Sequence, residues 1–503
     1  MSKSRAGTLV LALAGLLLGG GCTEKATADA ASPASAARAT SSPPAAAADP
    51  AGPAGAAPVA TPGSATAEED AASGMTRAAG GCSGAAVAAA PATAAPSAAG
   101  YLGTGSADTA AGVDIGPGCT VVVGGHFTGA ILAKARRLTG GAAGAVVRLD
   151  RTGRTVLSAT RVAGTVTDLQ VRRGTGDIAV ATDAGVRVLD PAAAAVRWKA
   201  PGAIGRVAIG ASGTVAASGG TTVRIYNSAG RVTGTVALRG RTVNDIAVDD
   251  RTGLVFVTGF TQSGGPCHQV QIPFVRAYTR AGVLRWKRYD FAADELGGLC
   301  ADARGDRLAM GRDGRLYLAG ETAGGNTSFS TDGRSVRSKA PNVGYDKFTE
   351  AFNTGSAHLT YVARLDPATG AVKAGQMLLT RLDSGKGNTI VPRALAADAQ
   401  GRVYVGGSAA AQLADRKNLR MNGKRLKDYA GGDAWLLVTS PDLRKRLLWT
   451  SWTDGGTGQV QAVAVDGPVA AVAADVDRFP FYTRAPVQTA TGRGYLAVLP
   501  ARR

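Results

Sequence analysis

RALAADAQGRVYVGGS, residues Arg393–Ser408, has the pattern of two short β-strands joined by a tight turn. Small apolar residues form the first strand, Gly401 closes an Asp-containing turn, and Val403-Tyr404-Val405 forms the second strand. Short apolar runs bounded by Gly and Asp turns are typical of all-β proteins. The same phrase recurs upstream as NDIAVDDRTGLVFVTGF (Asn244–Phe260) and CADARGDRLAMGRDGRLYLAGE (Cys300–Glu321). The sequence therefore predicts a repeat built on this hairpin.

Each copy of the hairpin is followed by a third strand with a polar end, and often by a fourth strand that carries Trp. VRIYN and VARLD, which end at Asn227 and Asp366, are third strands, whereas Trp198 and Trp286 lie in fourth strands. Counting degenerate copies, we predict an all-β fold: a β-propeller of four-stranded antiparallel blades, seven in number, with six or eight as alternatives. Blade 1 contains 119–124, 145–150 and 154–159, and blades 2 to 7 span 167–199, 206–236, 244–286, 299–375, 393–452 and 460–500.

A propeller fits the repetition better than a sandwich does. Each unit exposes two sheet faces that a similar neighbour covers, and ring closure protects the strand edges. Small residues such as Ala394 and Ala462 in the first strand of a unit allow close approach to a crowded central axis. Larger residues such as Tyr404, Trp435 and Trp449 fill the wider gap farther out.

The N-terminus has the pattern of an export signal, which we assign to residues 1–22. Lys3 and Arg5 precede an apolar run from Thr8 to Leu18, and a run of about 11 residues is too short for a bilayer core that needs roughly 20. The small residues before Cys22 resemble the lipobox of bacterial lipoproteins. The resemblance implies cleavage before Cys22, lipid on its sulfur and an anchor in a membrane. Plain secretion with an incidental Cys is the alternative.

Residues 23–100 consist mainly of Ala, Ser, Thr, Pro and Gly. Such a segment buries too little apolar surface to offset its ordering entropy, so we predict a disordered tether. A flexible chain of this length spans about 50 Å root-mean-square. The tether would hold the propeller domain, assigned to residues 101–503, away from the membrane.

Four cysteines remain beside Cys22, namely Cys82, Cys119, Cys267 and Cys300. An even number in an exported chain favours disulfides. Of the three possible connectivities, pairing neighbours in sequence gives Cys82–Cys119 and Cys267–Cys300. No CxxC occurs, so we expect no metal site of the structural zinc type.

The phrase Asp398–Ser408 resembles the β-propeller repeats of bacterial exported proteins known as SBBP repeats. Gly432-Asp433-Ala434-Trp435 resembles their Gly-x-Asp-Ala-(aromatic) entry into the third strand, and Thr360–Asp366 resembles their Val-Ala-(Lys/Arg)-Leu-Asp phrase. The likeness covers about residues 240–500 and implies a fold and an extracytoplasmic location rather than an activity. Asp366–Gly370 and the fourth-strand Trp residues are more distantly similar to quinoprotein-like propellers, but their regular Trp pattern and vicinal disulfide are missing here.

The sequence contains no catalytic motif. The three His residues, His126, His268 and His358, share no metal-binding spacing, and neither a Gly-x-Ser-x-Gly elbow nor a P-loop occurs. Loop positions favour solvated His side chains, and Asp residues near turns, such as Asp398, favour turn capping. We therefore predict no enzyme, no catalytic residue and no cofactor.

Charge and two long insertions indicate where binding occurs. The chain carries 56 Lys and Arg against 37 Asp and Glu, a net charge of +19, which favours anionic neighbours, although scattered surface Arg is also common. Insertions at 322–359 and 409–431 follow the second strands of adjacent blades and are expected on one face of the ring. The predicted ligand-binding residues are Arg416, Lys417, Arg420, Lys424, Arg425, Lys427, Tyr345 and Phe348. A solvated loop pair is the alternative.

We therefore expect a monomeric, membrane-anchored lipoprotein that faces the periplasm or cell exterior and binds or scaffolds an envelope protein or an anionic polymer, with no specific nucleic acid. One alternative is a propeller enzyme, a lyase or hydrolase of glycans, which requires two carboxylates that converge in one funnel. The other alternative is an adhesion or structural surface module.

Overall fold

The computed structural model describes residues 82, 95–138, 143–345, 357–382, 384–413 and 416–501. The export signal, Cys22, Phe348 and most of the tether predicted from the sequence lie outside these residues. Within the described part of the chain, no helix is long and apolar enough to cross a bilayer.

The chain forms seven sheets, or blades, in which sequence neighbours pair antiparallel. Blade 1 contains β2 (Thr109–Ile115), β3 (Val121–His126), β5 (Gly144–Leu149) and β6 (Val156–Val162), with the short β4 (Arg136–Arg137) at its edge. Blade 2 contains β7 (Val166–Val171), β8 (Ile178–Thr182), β9 (Gly185–Leu189) and β10 (Val196–Ala200). Blade 3 contains β11 (Arg206–Ile209), β12 (Val215–Gly219), β13 (Thr222–Tyr226) and β14 (Val232–Ala237). Blade 4 contains β15 (Arg241–Asp249), β16 (Leu254–Ser263), β17 (Val270–Thr279) and β18 (Leu284–Arg288).

The remaining blades carry the insertions. Blade 5 contains β19 (Ala303–Met310), β20 (Leu316–Thr322), β22 (Leu359–Leu365) and β23 (Val372–Leu378), with β21 (Val343–Tyr345) at its edge. The hairpin β24 (Thr380–Arg381) and β25 (Gly387–Asn388) leads to blade 6, which contains β26 (Ile390–Ala397), β27 (Val403–Ala409), β30 (Asp433–Thr439) and β31 (Arg446–Ser451). Its insertion holds β28 (Arg420–Met421) and β29 (Lys424–Arg425). Blade 7 contains β32 (Thr457–Asp466), β33 (Val469–Arg478), β34 (Gly494–Pro500) and β1 (Ala98–Leu102). Short 3-10 helices occur at Pro117–Cys119, Ala130–Leu132, Ala293–Leu296, Ser328–Ser330 and Arg416–Asn418.

Seven apolar layers hold the ring together, one between each pair of adjacent blades and one between blades 7 and 1. Trp435 and Tyr404 are almost fully buried, and the Trp435 and Trp449 rings lie 5.7 Å apart. Ala394 and Ala462 line the central channel. The prediction of a seven-bladed propeller with small inner and large outer residues is confirmed.

The ring closes through a strand that the sequence analysis missed. β1 pairs with β34 as the outermost strand of blade 7, with Tyr101 opposite Tyr495. The predicted blade 1 also lacked its inner strand β2, and the first strand begins at Ala98, three residues before the predicted domain boundary. Closure with both chain ends in one blade leaves no unpaired edge at the join, so this short strand stabilises the whole ring.

Both predicted disulfides are present. Cys82 is bonded to Cys119, and Cys267 to Cys300. The first bond ties a residue of the predicted tether to blade 1. The second bond ties the loop between β16 and β17 to the segment that leads into β19 of the next blade. Two disulfides fit an oxidising extracellular compartment.

The second strand of four blades contains a glycine opposite the bulge of the inner strand, for a steric reason. Gly125, Gly259, Gly320 and Gly407 each pair with the residue just before a β-bulge in the inner strand. A Cβ atom on Gly407 would lie 1.9 Å from the carbonyl oxygen of Val391. Bulges re-aim the following side chains, and here they direct the inner strands toward the channel. The final glycine of the repeated phrase therefore allows the bulge.

Candidate functional site

The insertion of blade 6 forms a hairpin that is anchored from below. Met421 and Leu426 are buried against the apolar layer between blades 6 and 7. The loop of blade 7 supports it from the side, since Arg484 donates to the Asn422 side chain and Arg478 donates to the Ala430 carbonyl. The hairpin is therefore held in a defined position although it extends from the sheet.

Asp433 fixes the base of this hairpin. Its Oδ1 accepts hydrogen bonds from Arg416 Nε at 3.0 Å, Ser451 Oγ at 2.8 Å and Thr453 Oγ1 at 2.6 Å. The Arg416 side chain is 3% exposed and the Asp433 side chain is fully buried. Arg416, predicted from the sequence to contact a ligand, therefore belongs to the interior, because its charge is already satisfied beneath the loop.

The other five predicted cations lie at the surface. Lys417, Arg420, Lys424, Arg425 and Lys427 are exposed. None of them forms an ion pair with a carboxylate of the described residues, and Arg420 donates only to the Gly423 carbonyl. We call these five residues the basic hairpin. Because they are exposed and form no ion pair with a described residue, their charges are candidates for contact with an anionic ligand.

The insertion of blade 5 differs from the prediction. Phe329 is buried, stacks on Tyr361 with ring centroids 4.5 Å apart, and meets Tyr289 edge to face. β21 then pairs in parallel with β23, which places the Tyr345 backbone beside Met377 at the outer edge of the blade. The described part of this insertion thus packs on its own blade because its aromatic residue has partners there. Of the two aromatic residues predicted to bind the ligand, only the Tyr345 backbone is described, and Phe348 lies outside the described residues.

The central channel contains charged residues that the sequence analysis did not single out. Six of the seven inner strands have a bulge. The residues that follow these bulges form a ring around the channel, which Arg206 completes at the same level of β11. We call this ring the collar. In blade order, the collar consists of Gly112, Asp168, Arg206, Asp245, Arg307, Ala394 and Ala462. Alternating charges occupy blades 2 to 5, whereas small residues occupy blades 6, 7 and 1.

The collar carboxylates connect neighbouring blades. Asp168 accepts from its own following amide, Leu169 N, and from Val207 N of blade 3 at 3.1 Å. In the same way, Asp245 accepts hydrogen bonds from the amide that follows it, Ile246 N, and from Leu308 N of blade 5 at 2.9 Å. Burial raises the pKa of Asp168 to about 6 despite the nearby Arg206. These carboxylates are used in the framework of the ring.

Each collar arginine also binds to the next blade along the chain, but some of its N–H groups donate to no described residue. Arg206 Nε donates to the Asn244 carbonyl, and Arg307 donates through Nε to the Arg393 carbonyl and through Nη1 to the Asp306 carbonyl. Burial and the like charge of Arg206 lower the pKa of Arg307 to about 10. Arg393, the bulged residue of β26, is exposed; its charge acts on Asp306 and Glu321, but its side chain forms no hydrogen bond or ion pair with a described residue.

The channel encloses a cavity of about 480 Å³. Below the collar it is lined by one apolar residue from each blade: Val113, Leu169, Val207, Ile246, Leu308, Leu395 and Val463. At the far end, where the inner strands turn into the second strands, two arginines cross the channel. Arg173 of blade 2 donates to the Met310 carbonyl of blade 5, and Arg312 of blade 5 lies 3.3 Å from Asp466 of blade 7.

A second acidic group lies on blade 5. Asp306 occupies the bulge of β19, is 7% exposed, and its Oδ2 has no hydrogen-bond partner among the described residues. Glu321 pairs with Arg304 at 2.8 Å and lies 3.5 Å from His358. Burial and the charge of Glu321 raise the pKa of Asp306 to about 7, and the contact with Glu321 raises the pKa of His358. His358 is therefore an ion-pair partner rather than the predicted solvated loop residue.

We predict that Asp306→Asn flattens the dependence of stability on pH. In the folded chain Asp306 keeps its proton up to about pH 7, whereas in the unfolded chain it loses the proton near pH 4. Protonated Asp306 therefore contributes to the free energy of unfolding at low pH, and this contribution is lost as the pH rises toward 7. Between pH 5 and 8 the free energy of unfolding of the wild type should fall by roughly 1–3 kcal/mol more than that of the variant. Urea unfolding at several pH values measures this difference. The exposed Asp428→Asn is the control, and a constant difference between Asp306→Asn and wild type would contradict the assignment.

Neither a zinc-like nor a calcium-like cluster of three ligating side chains occurs among the described residues. No protein-family model matches the sequence, and no curated protein matches it. The geometry offers two candidate recognition surfaces, the basic hairpin and the channel. The first follows from a sequence signal, the run of Lys and Arg. The second had a weaker signal, an Asp or Arg just before the apolar part of the inner strand.

Proposed function

We propose that this protein is an exported, lipid-anchored propeller that binds an anionic polymer of the cell envelope through its basic hairpin, without catalysis. The observation that carries the proposal is the position of five exposed cations, without ion-pair partners among the described residues, on a loop with buried anchors. Loops on a rigid scaffold are frequent binding sites. The lipoprotein-like start of the sequence and its resemblance to SBBP repeats support the location.

A polymer suits this surface better than a compact ligand does. The five cations of the basic hairpin are exposed and do not line the channel cavity. A polymer with regularly spaced phosphate or carboxylate groups engages several such charges at once and releases counterions, so affinity gains from many weak contacts. Individual exposed ion pairs contribute only about 0–1 kcal/mol each. The interaction is therefore expected to depend strongly on salt.

The two disulfides and the tether support the envelope location. Disulfides persist in oxidising compartments; one here ties Cys82 of the tether to blade 1, and the other ties a loop of blade 4 to the segment that leads into blade 5. A lipid on Cys22 would hold the propeller near a membrane, and residues 23–81 would give the hairpin reach toward a polymer farther from the bilayer. The anchor raises the local concentration of the binding surface at the envelope.

The test replaces the basic hairpin with Gln at all five positions and measures binding to sodium polyphosphate and to polygalacturonate. Binding to the responsible polymer should weaken by at least about tenfold at low salt, and the slope of log affinity against log salt should become shallower. A matched variant changes five exposed basic residues on other blades to Gln: Arg151, Lys199, Arg231, Arg239 and Arg285.

The matched variant has the same net charge as the hairpin variant. If it loses as much affinity, net charge rather than the hairpin carries the binding, and the proposal fails. Unchanged binding of the hairpin variant would contradict it equally. The choice between the two polymers identifies phosphate or carboxylate as the recognised group.

A further inference from the structure

The collar is asymmetric: its charged side chains connect neighbouring blades, whereas its small residues make no such side-chain bonds. Blades 2 to 5 place Asp168, Arg206, Asp245 and Arg307 at one level, whereas blades 6, 7 and 1 place Ala394, Ala462 and Gly112 there. The small side produces open volume beside the charged side. A cavity of about 480 Å³ lies within the range of about 300–1,000 Å³ that small-molecule sites occupy.

We propose that this channel binds a small organic acid, with its acidic group at Arg206, Arg307 and Arg393 and its apolar body along the wall below the collar. This site is separate from the basic hairpin and takes a different ligand. The three arginines line one cavity and come from three blades.

The hydrogen-bond inventory favours an anion over a cation. Both oxygens of Asp168 and of Asp245 already accept backbone amides. In contrast, both Nη atoms of Arg206, Nη2 of Arg307 and the whole Arg393 guanidinium donate to no described residue. Guanidinium donors fit carboxylate and phosphate oxygens in a forked geometry. The unused groups at this end of the channel are therefore mainly donors.

The wall beneath the collar defines the rest of the ligand. Seven apolar side chains, one from each blade, surround the cavity below the arginines, and three of them are Leu169, Leu308 and Leu395. An apolar body displaces water from this wall, at about 25 cal/mol per Å² of buried apolar area. At the far end, Arg173 and Arg312 bridge opposite blades and limit the depth of the site. A ligand with an acidic head and a short apolar body matches both parts.

Isothermal titration of the full chain with hexanoate, hexyl phosphate, 1-hexanol and inorganic phosphate tests this site. We expect one or both of the first two to bind at least about tenfold more tightly than 1-hexanol, which lacks the charge, and than inorganic phosphate, which lacks the apolar body. The two heads distinguish a carboxylate ligand from a phosphate ligand. Equal binding of 1-hexanol, or no binding of either amphiphilic acid, would overturn the proposal.

Two variants locate the binding in the channel. Arg393→Gln removes an exposed side chain that forms no hydrogen bond or ion pair with a described residue, so the fold should persist while affinity falls about tenfold. Ala462→Leu fills the small side of the collar and should abolish binding. Arg420→Gln, in the basic hairpin, should leave binding of the small acids unchanged. If Arg393→Gln binds as tightly as wild type while melting at the same temperature, the assignment of the acidic group is wrong. Because the hairpin variants leave the channel intact, failure of either proposal is recognised separately.

Discussion

Gly407→Ala is expected to destabilise the propeller by at least about 3 kcal/mol, enough to prevent folding of a marginally stable chain. The new Cβ would lie 1.9 Å from the Val391 carbonyl oxygen and 3.1 Å from Arg393 N, both backbone atoms. Neither can rotate away, so the bulge of β26 must shift. The bulge positions Arg393 at the channel and Ala394 in the collar, so the shift also disturbs the proposed small-acid site.

Thermal and urea unfolding measure the effect of Gly407→Ala. The control is Gly116→Ala, because Gly116 has a φ of −92° and a Cβ there would have its nearest neighbour at 3.6 Å. This change should alter stability by less than about 1 kcal/mol. If Gly407→Ala is as mild as the control, the steric account of the repeated glycine is wrong.

Asp433→Ala is expected to cost about 3–5 kcal/mol, because it leaves the buried Arg416 guanidinium without a counter-charge. The substitution also removes the acceptor for two buried hydroxyl groups, those of Ser451 and Thr453. The hairpin base should loosen before the rest of blade 6. Faster amide exchange across Arg416–Asn418 and β28, together with a lower midpoint of urea unfolding, would show this.

A double variant separates the charge from the packing at this position. Arg416→Met with Asp433→Leu removes both members of the ion pair and should recover most of the stability lost in Asp433→Ala, since replacing a buried ion pair with apolar groups is often neutral. A cost below about 1 kcal/mol for Asp433→Ala alone would show that water reaches Arg416 and that the pair does not anchor the hairpin.

Most of the fold could be predicted from the repeated two-strand phrase, because its strands and turn are determined by neighbouring residues. Val403-Tyr404-Val405, the turn at Gly401 and the final glycine each follow from neighbouring residues. Asp398 caps its turn as expected, accepting from Gln400 N and Arg402 N. The disulfides join consecutive cysteines of the chain, 37 and 33 residues apart, as the simplest connectivity predicted.

The missed features depend on contacts between residues that the sequence does not show to be partners. The sequence of β1, AAGYL, follows an Ala-rich tract and does not stand out from it. Its role as a strand is seen only in the structure, where Tyr101 pairs with Tyr495 of β34. The collar unites Asp168 and Arg307, which come from different blades. Arg416 carries the same charge as Lys417, and only the contact with Asp433 shows that it faces inward. Sequence patterns report strand faces well, but they do not report partners that come from distant parts of the chain.

Amide hydrogen exchange of the full chain, with and without long-chain polyphosphate or polygalacturonate, locates the polymer on the surface. The account predicts protection in 416–429 and in the supporting loop near Arg478 and Arg484, with the blades that carry the matched control residues unaffected. Protection on those other blades, or a saturated complex with no protection in the hairpin, would contradict the claim that the basic hairpin is where this propeller meets an anionic polymer.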